Sequence, residues 1–333
     1  MQTGEAVLAL GAVAGLLAIG YYYIVTKSPF AKKAPKNSAF VFIKPHANTG
    51  EVQALAQKTF AEKGIKVLSS GELTAKEIDE KKLIDQHYYA IASKATILKP
   101  AELNVPKEKF KGKFGLEWQA ALDSGKVFNA MDACKKLNID ANALDALWAK
   151  AKKADQLVKF GGGFYCGLVE GLYVFNGFFM SMRAKFVTPG TSIFYYVVEW
   201  DADATSWEQF RGEVLGPTDP KDAPPTSLRG LIYKQWKGLG LKEVPNVGDN
   251  GVHASASPFE AMAERMNWLG SPLSSDPFGA ALLDAGVREA YITEGTVDPQ
   301  VAMPDGSKGS LFDALEDMDS ADCLAKVVTL AAL

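Results

Sequence analysis

An excess of positive charge, closely spaced cysteines and a supply of histidines are what this chain lacks. Its 36 Lys and Arg are balanced by 39 Asp and Glu, for a net charge of -3. That leaves no electrostatic footprint for nucleic acid, and no nucleic-acid partner is expected. Cys134, Cys166 and Cys323 are far apart and have no metal-ligand spacing. They read as reduced thiols in a reducing compartment, with nothing to support a disulfide pair. Histidine occurs only three times in 333 residues. With 47% apolar and 23% charged positions the chain is globular, and its length fits one large domain or two small ones.

Residues 6–25, AVLALGAVAGLLAIGYYYIV, are uncharged and mostly apolar, long enough to cross a hydrocarbon core of roughly 30 Å. Tyr21, Tyr22 and Tyr23 cluster at one end as interfacial aromatics do. Lys27, Lys32, Lys33 and Lys36 follow, and no basic residue precedes the run. This order predicts a single transmembrane helix within residues 1–26 and a Lys/Pro linker over 27–37. The bulk of the chain is then on the cytoplasmic, matrix or stromal side, and an organellar inner membrane would fit. Neither the charged n-region nor the cleavage site of a removable signal is evident.

Beyond the linker, Ala39 to Ile43 reads as a buried strand, and Val52, Leu55, Ala56 and Phe60 mark a helix that stops near Gly64. Ile65 to Leu68 is a second strand. Thr74 and Glu77 form a capping box for a helix running through Gln86, His87 and Tyr88. This order is the opening half of a ferredoxin-like βαββαβ antiparallel sheet, an α+β arrangement. Residues 95–163 carry helical patterns, as in Asn142 to Val158, and are too long for a simple loop; an inserted helical subdomain is expected. The apolar run Gly161 to Met182 reads as a buried or partner-facing helix, because Glu170 near its middle is expensive in a membrane. Thr191 to Trp200 is the expected central strand, and Ser206 caps a short helix ending near Leu215. Leu311 to Leu330 closes the chain as an amphipathic docking helix.

The most informative stretch is NGVHASASPFEAMAERMNWL, Asn250 to Leu269. Ser257 is a good N-cap, Pro258 suits the first helical position, and Glu260 can reach back to the cap. Phe259, Met262, Ala263, Met266 and Leu269 form the apolar face of the helix, and Glu264 falls off that stripe toward the loop carrying His253. A reactive histidine needs an acceptor on its second nitrogen to fix the tautomer, and Glu264 could supply it.

Asn-x-x-His-x-Ser-x-Ser before an Ala/Glu-rich helix resembles the active-site segment of nucleoside diphosphate kinases. So do FVFIKP, QHY, the Phe164–Glu170 segment and the Pro-rich loop from Gly216 to Gly230; together the resemblance covers 39–94, 164–170 and 188–269. It implies a kinase-like domain over 38–270, interrupted at about 95–163 and followed by a C-terminal extension over 271–333. The implied activity moves the terminal phosphate between nucleoside tri- and diphosphates through a phosphohistidine on His253. Glu264 and Ser255 would orient that histidine. Arg229 and Thr218 would contact phosphate, Lys44 and Asn250 ribose and phosphate, and Tyr88 the transferred group, while Phe164 and Leu168 would sandwich the base. Mg²⁺ would ride on the nucleotide phosphates, with no metal ligand from the protein.

Some positions depart from the family pattern. Its Lys-Pro-Asp-Gly reads Lys44-Pro45-His46-Ala47, and its His-Gly-Ser-Asp reads His253-Ala254-Ser255-Ala256. A phosphate-contacting arginine falls on Gly212, leaving Arg211 one place, or about 100° of helix, away as a candidate contact. These losses, the anchor, the insertion and the extension fit an alternative: a weak or inactive kinase-like accessory subunit, holding protein partners in a membrane complex.

Overall fold

Asn37–Ile43 forms strand β1, whose residues Ala39 to Ile43 are all fully buried. Alternation along the strand divides them between two cores. Ala39, Val41 and Ile43 pack with the helices Gly50–Glu62 and Leu228–Gln235, and Phe40 and Phe42 pack with Ile78, Ile84, Phe186 and Trp268. A strand covered on both faces reads as a continuous apolar run, which is why it is so legible in the sequence. The computed structural model describes residues 35–333, so the span expected at 6–25 and most of the 27–37 linker lie outside the described residues. Among the described residues no helix is long and apolar enough to cross a membrane.

Strands β2 (Lys66–Thr74), β7 (Ser192–Trp200) and β8 (Val252–Ala254) complete the first sheet in the order β2-β7-β1-β8, every pair antiparallel. The helix Gly50–Glu62 links β1 to β2 while β7 lies between them, which is the split βαβ order expected of a ferredoxin-like sheet. The Thr74–Glu77 capping box is present. The single helix expected through Tyr88 is broken, however. Ala75–Glu80 and Leu83–His87 are separate helices, because Lys82 takes a left-handed φ of 56° between them.

The insertion is not purely helical. Besides helices such as Ala141–Lys153, residues 95–163 hold β3 (Val127–Asn129) and β4 (Leu157–Gly161). Strands β5 (Phe164–Val169) and β6 (Leu172–Phe175) join them in a second sheet ordered β3-β6-β5-β4. The long apolar run from Gly161 is thus mainly strand, with a helix only from Phe179. Glu170 and Gly171, at φ 48° and 76°, are the two-residue turn between β5 and β6. Glu170, an acid that would be expensive in a membrane, is exposed in that turn.

The C-terminal 271–333 segment folds back on the helix Pro258–Leu269, whose Phe259 and Met262 share a core with Phe278, Leu282, Leu311 and Val327. Arg265 fixes the join, giving Nε to Asp276 at 2.6 Å and Nη1 to the Ser38 carbonyl at 3.0 Å. The expected closing helix is two, Leu311–Leu315 and Ser320–Ala331, with Asp317 at φ 61° in the turn between them.

Candidate active site

His253 stands on the short edge strand β8 opposite Phe42, whose ring stacks on the imidazole at 4.6 Å. Its Nε2 meets Glu264 Oε1 at 2.6 Å. Glu264 is carried by the helix Pro258–Leu269, and Ser257 accepts the Glu260 N–H at 3.1 Å to start that helix beside β8. The other carboxylate oxygen accepts from Ser255 Oγ at 2.5 Å. Ser255 in turn is seated against β1 by the Phe40 N–H at 3.0 Å. His253, Glu264 and Ser255 are therefore one relay, with Nε2 occupied and the Nδ1 lone pair left for chemistry.

Ala254 keeps ordinary strand angles within β8, so alanine in place of the family's glycine costs no backbone strain there. His46, in place of an acid, accepts the Gly251 N–H on Nε2 at 3.2 Å, where Gly251 needs its φ of 90°. Asp249 holds that turn from the other side, taking Lys185 Nζ at 2.7 Å.

Cations line the approach. Lys44, at the end of β1, donates to the Gly248 carbonyl at 3.3 Å, and burial with Arg229 nearby lowers its pKa to about 8. Arg229 gives Nη1 to the Gly216 carbonyl at 2.7 Å and Nη2 to the Val252 carbonyl at 2.9 Å; burial lowers it to about 10. Asn250 donates to the Thr218 carbonyl at 3.1 Å, while its own buried Oδ1 has no hydrogen-bond partner among the described residues. Arg211 is engaged elsewhere: its Nη1 pairs with Glu316 and Asp317, both at 2.7 Å. The one-residue offset turns it toward the C-terminal extension, although its charge still reaches His253.

Tyr88 lies edge-on to His87 at 4.5 Å and, through burial, has its phenol pushed up to about 12. Phe164 and Leu168 belong to the second sheet. Phe164 packs on Phe160 at 5.1 Å, and Leu168 pairs with Tyr173 across β6. The structure thus gathers His253, Glu264 and Ser255 into direct contact, sets Lys44, Asn250 and Thr218 on the adjoining loops and Arg229 in the first turn of the helix Leu228–Gln235, and leaves the expected base-stacking pair in the second sheet. His87, given no site role by the sequence, also belongs here: its Nδ1 lies 3.3 Å from Glu264 Oε1 and its ring meets His253 edge-on at 4.7 Å. The scarcity of histidine was the available signal, since two of the three meet here.

Burial sets the charge states. It holds His253 well below its usual range, helped by Lys44, Arg229 and Arg211, and lowers His87 to about 3 and His46 to about 4. Burial raises Glu264 to about 7. A histidine kept neutral contributes stability above its unfolded value near 6.5 that is lost as pH falls toward its folded value. Glu264 acts oppositely, contributing below its unfolded value and losing that contribution as pH rises through about 7. Burial raises Glu260 as well, so three lowered histidines oppose two raised acids, and the urea midpoint is expected to fall between about pH 7 and about pH 4.5. A midpoint that is flat or rises on acidification would show that these histidines are not held neutral.

No protein-family model matches the chain, and no curated protein matches it. Among solved structures it is similar to a nucleoside diphosphate kinase from Encephalitozoon cuniculi, at 15% identity over 70% of this chain and 89% of that chain, with a TM-score of 0.35. It is also similar to an NDP kinase from Pyrobaculum aerophilum, at 17% identity over 70% and 96% of the two chains, with a TM-score of 0.34. Both scores are low, so the chemistry rests on the side chains described above.

Proposed function

We propose that the chain transfers the terminal phosphate between nucleoside tri- and diphosphates through His253. The observation that carries this reading is the Ser255–Glu264–His253 relay, with contacts of 2.5 and 2.6 Å, which leaves Nδ1 as the nucleophilic nitrogen. The Nδ1 lone pair forms a bond to the terminal phosphorus as the P–O bond to the leaving diphosphate breaks. An oxygen of a second nucleoside diphosphate then takes the phosphoryl group and frees the histidine. Lys44 and Arg229 supply positive charge for the phosphate oxygens, with Thr218 and Asn250 as polar contacts and Tyr88 beside the transferred group. Mg²⁺ enters as part of the nucleotide substrate. Base stacking by Phe164 and Leu168 would require the second sheet to close over the site. In this reading residues 6–25 anchor the kinase-like unit 38–270 beside a membrane, on its cytoplasmic, matrix or stromal side.

A second reading, an accessory subunit without turnover, is favoured by Arg211, whose pairing with Glu316 and Asp317 occupies a cation otherwise suited to phosphate. Steady-state kinetics of the full-length chain with Mg-ATP and GDP separate the two. Parallel double-reciprocal lines, the mark of a ping-pong route, are expected if His253 carries phosphate. Absence of GTP formation, with nucleotide binding retained, would favour the accessory role.

A further inference from the structure

His87 Nδ1, His253 Nε2 and Glu264 Oε1 come from three separate elements and lie within 4.8 Å of one another. Trp268 Nε1 donates to His87 Nδ1 at 3.4 Å, which requires a lone pair on that nitrogen. Glu264 Oε1 is only 3.3 Å from the same atom. The single lone pair of Nδ1 meets Trp268 only through that long 3.4 Å contact, and a cation seated between Nδ1 and Oε1 would take it over. Two imidazoles and one carboxylate suit a borderline-soft ion of the zinc type rather than Mg²⁺, which prefers oxygen donors. Tetrahedral coordination with bonds of about 2.0–2.1 Å sets ligand atoms about 3.3 Å apart. The His87–Glu264 pair already has that spacing, and the His253–Glu264 contact must open from 2.6 Å as the metal replaces its proton.

We propose that His87, His253 and Glu264 form a binding site for a divalent cation of the Zn²⁺ class. Ser255 Oγ, on the second Glu264 oxygen, is the outer partner that holds the carboxylate in place. A cavity of about 170 Å³, lined by His87, Tyr88 and Asp298, borders the cluster on its His87 side. Binding takes Nε2 of His253, so the ring proton moves to Nδ1 and removes the lone pair that would attack phosphorus. The metal-loaded chain is then closed to phosphoryl transfer. That consequence rests on the proposed function, whereas the metal site itself does not.

The test titrates the full-length chain, without nucleotide, with Zn²⁺ against a chromophoric chelator, and takes the X-ray absorption spectrum of the zinc-loaded wild-type chain. Tight binding of one equivalent is expected, with two imidazoles in the spectrum. His87→Asn and His253→Asn should each weaken binding by more than the ~10–100-fold that loss of an outer partner costs. His46→Asn should leave zinc affinity unchanged. No stoichiometric binding, binding that survives His87→Asn, or a spectrum without the imidazole pair would overturn the proposal. Zinc bound by a chain that never transfers phosphate would defeat the kinase reading alone, and transfer by a chain that ignores zinc would defeat the metal site alone.

Discussion

Glu264→Ala is expected to slow formation of the phosphorylated chain by about 10²-fold or more, since a misplacement of roughly 1 Å at a reacting atom has that cost. The carboxylate is 5% exposed and joins three neighbours: His253 on one oxygen, His87 near the same oxygen, and Ser255 on the other. Without it the imidazole can rotate on its stacking contact with Phe42, and neither tautomer is favoured by a partner. Glu264→Gln retains an acceptor oxygen but loses the charge, and an intermediate rate is expected. The measurement is single-turnover phosphorylation at saturating Mg-ATP. An unchanged rate in Glu264→Ala would mean that the 2.6 Å contact with His253 serves packing rather than chemistry.

The largest effect on stability is expected from Arg183→Ala. Arg183 lies in the helix Phe179–Val187 and gives Nε to both oxygens of Asp85, at 3.0 and 2.9 Å, and Nη2 to Asp79 at 2.5 Å. Asp85 is fully buried and also accepts from Thr96 Oγ1 at 2.6 Å. Removing the arginine leaves an uncompensated buried carboxylate, a change that costs about 3–5 kcal/mol. It also frees the short helix that ends in His87, so the His87–Glu264 contact should loosen with it. Urea denaturation compares this variant with Lys58→Ala, which loses only an exposed pair with Glu62 at 3.8 Å and should cost less than about 0.5 kcal/mol. Similar midpoints for the two variants would show that Arg183 is not an anchor.

What could be read from the sequence was what depends on local period and capping. β1 and β7 were legible as apolar runs because both are central strands, and the Thr74–Glu77 box announced its helix. The His253–Glu264 pair was legible because a cap at Ser257 fixes where the helix starts, and so which side Glu264 faces. The rest depends on backbone turns and on partners distant in the chain. The left-handed Lys82 that splits the second helix, and the Glu170–Gly171 turn that folds an apolar run into a hairpin, leave little trace in hydrophobic pattern. Arg211 could be seen to miss its expected position. Its acceptors, Glu316 and Asp317, could not be named, since only the folded-back extension brings them near. His87 stayed hidden for the same reason: its place against Glu264 follows from packing of the helix Leu83–His87 beside Pro258–Leu269.

The central claim is that His253 carries phosphate, and its most direct measurement is incubation of the full-length chain with γ-labelled Mg-ATP, followed by a test for acid-labile label. Label is expected on His253, passing to added GDP and absent from His253→Ala. Folded chain that takes up no label, or label that persists in His253→Ala, would contradict it.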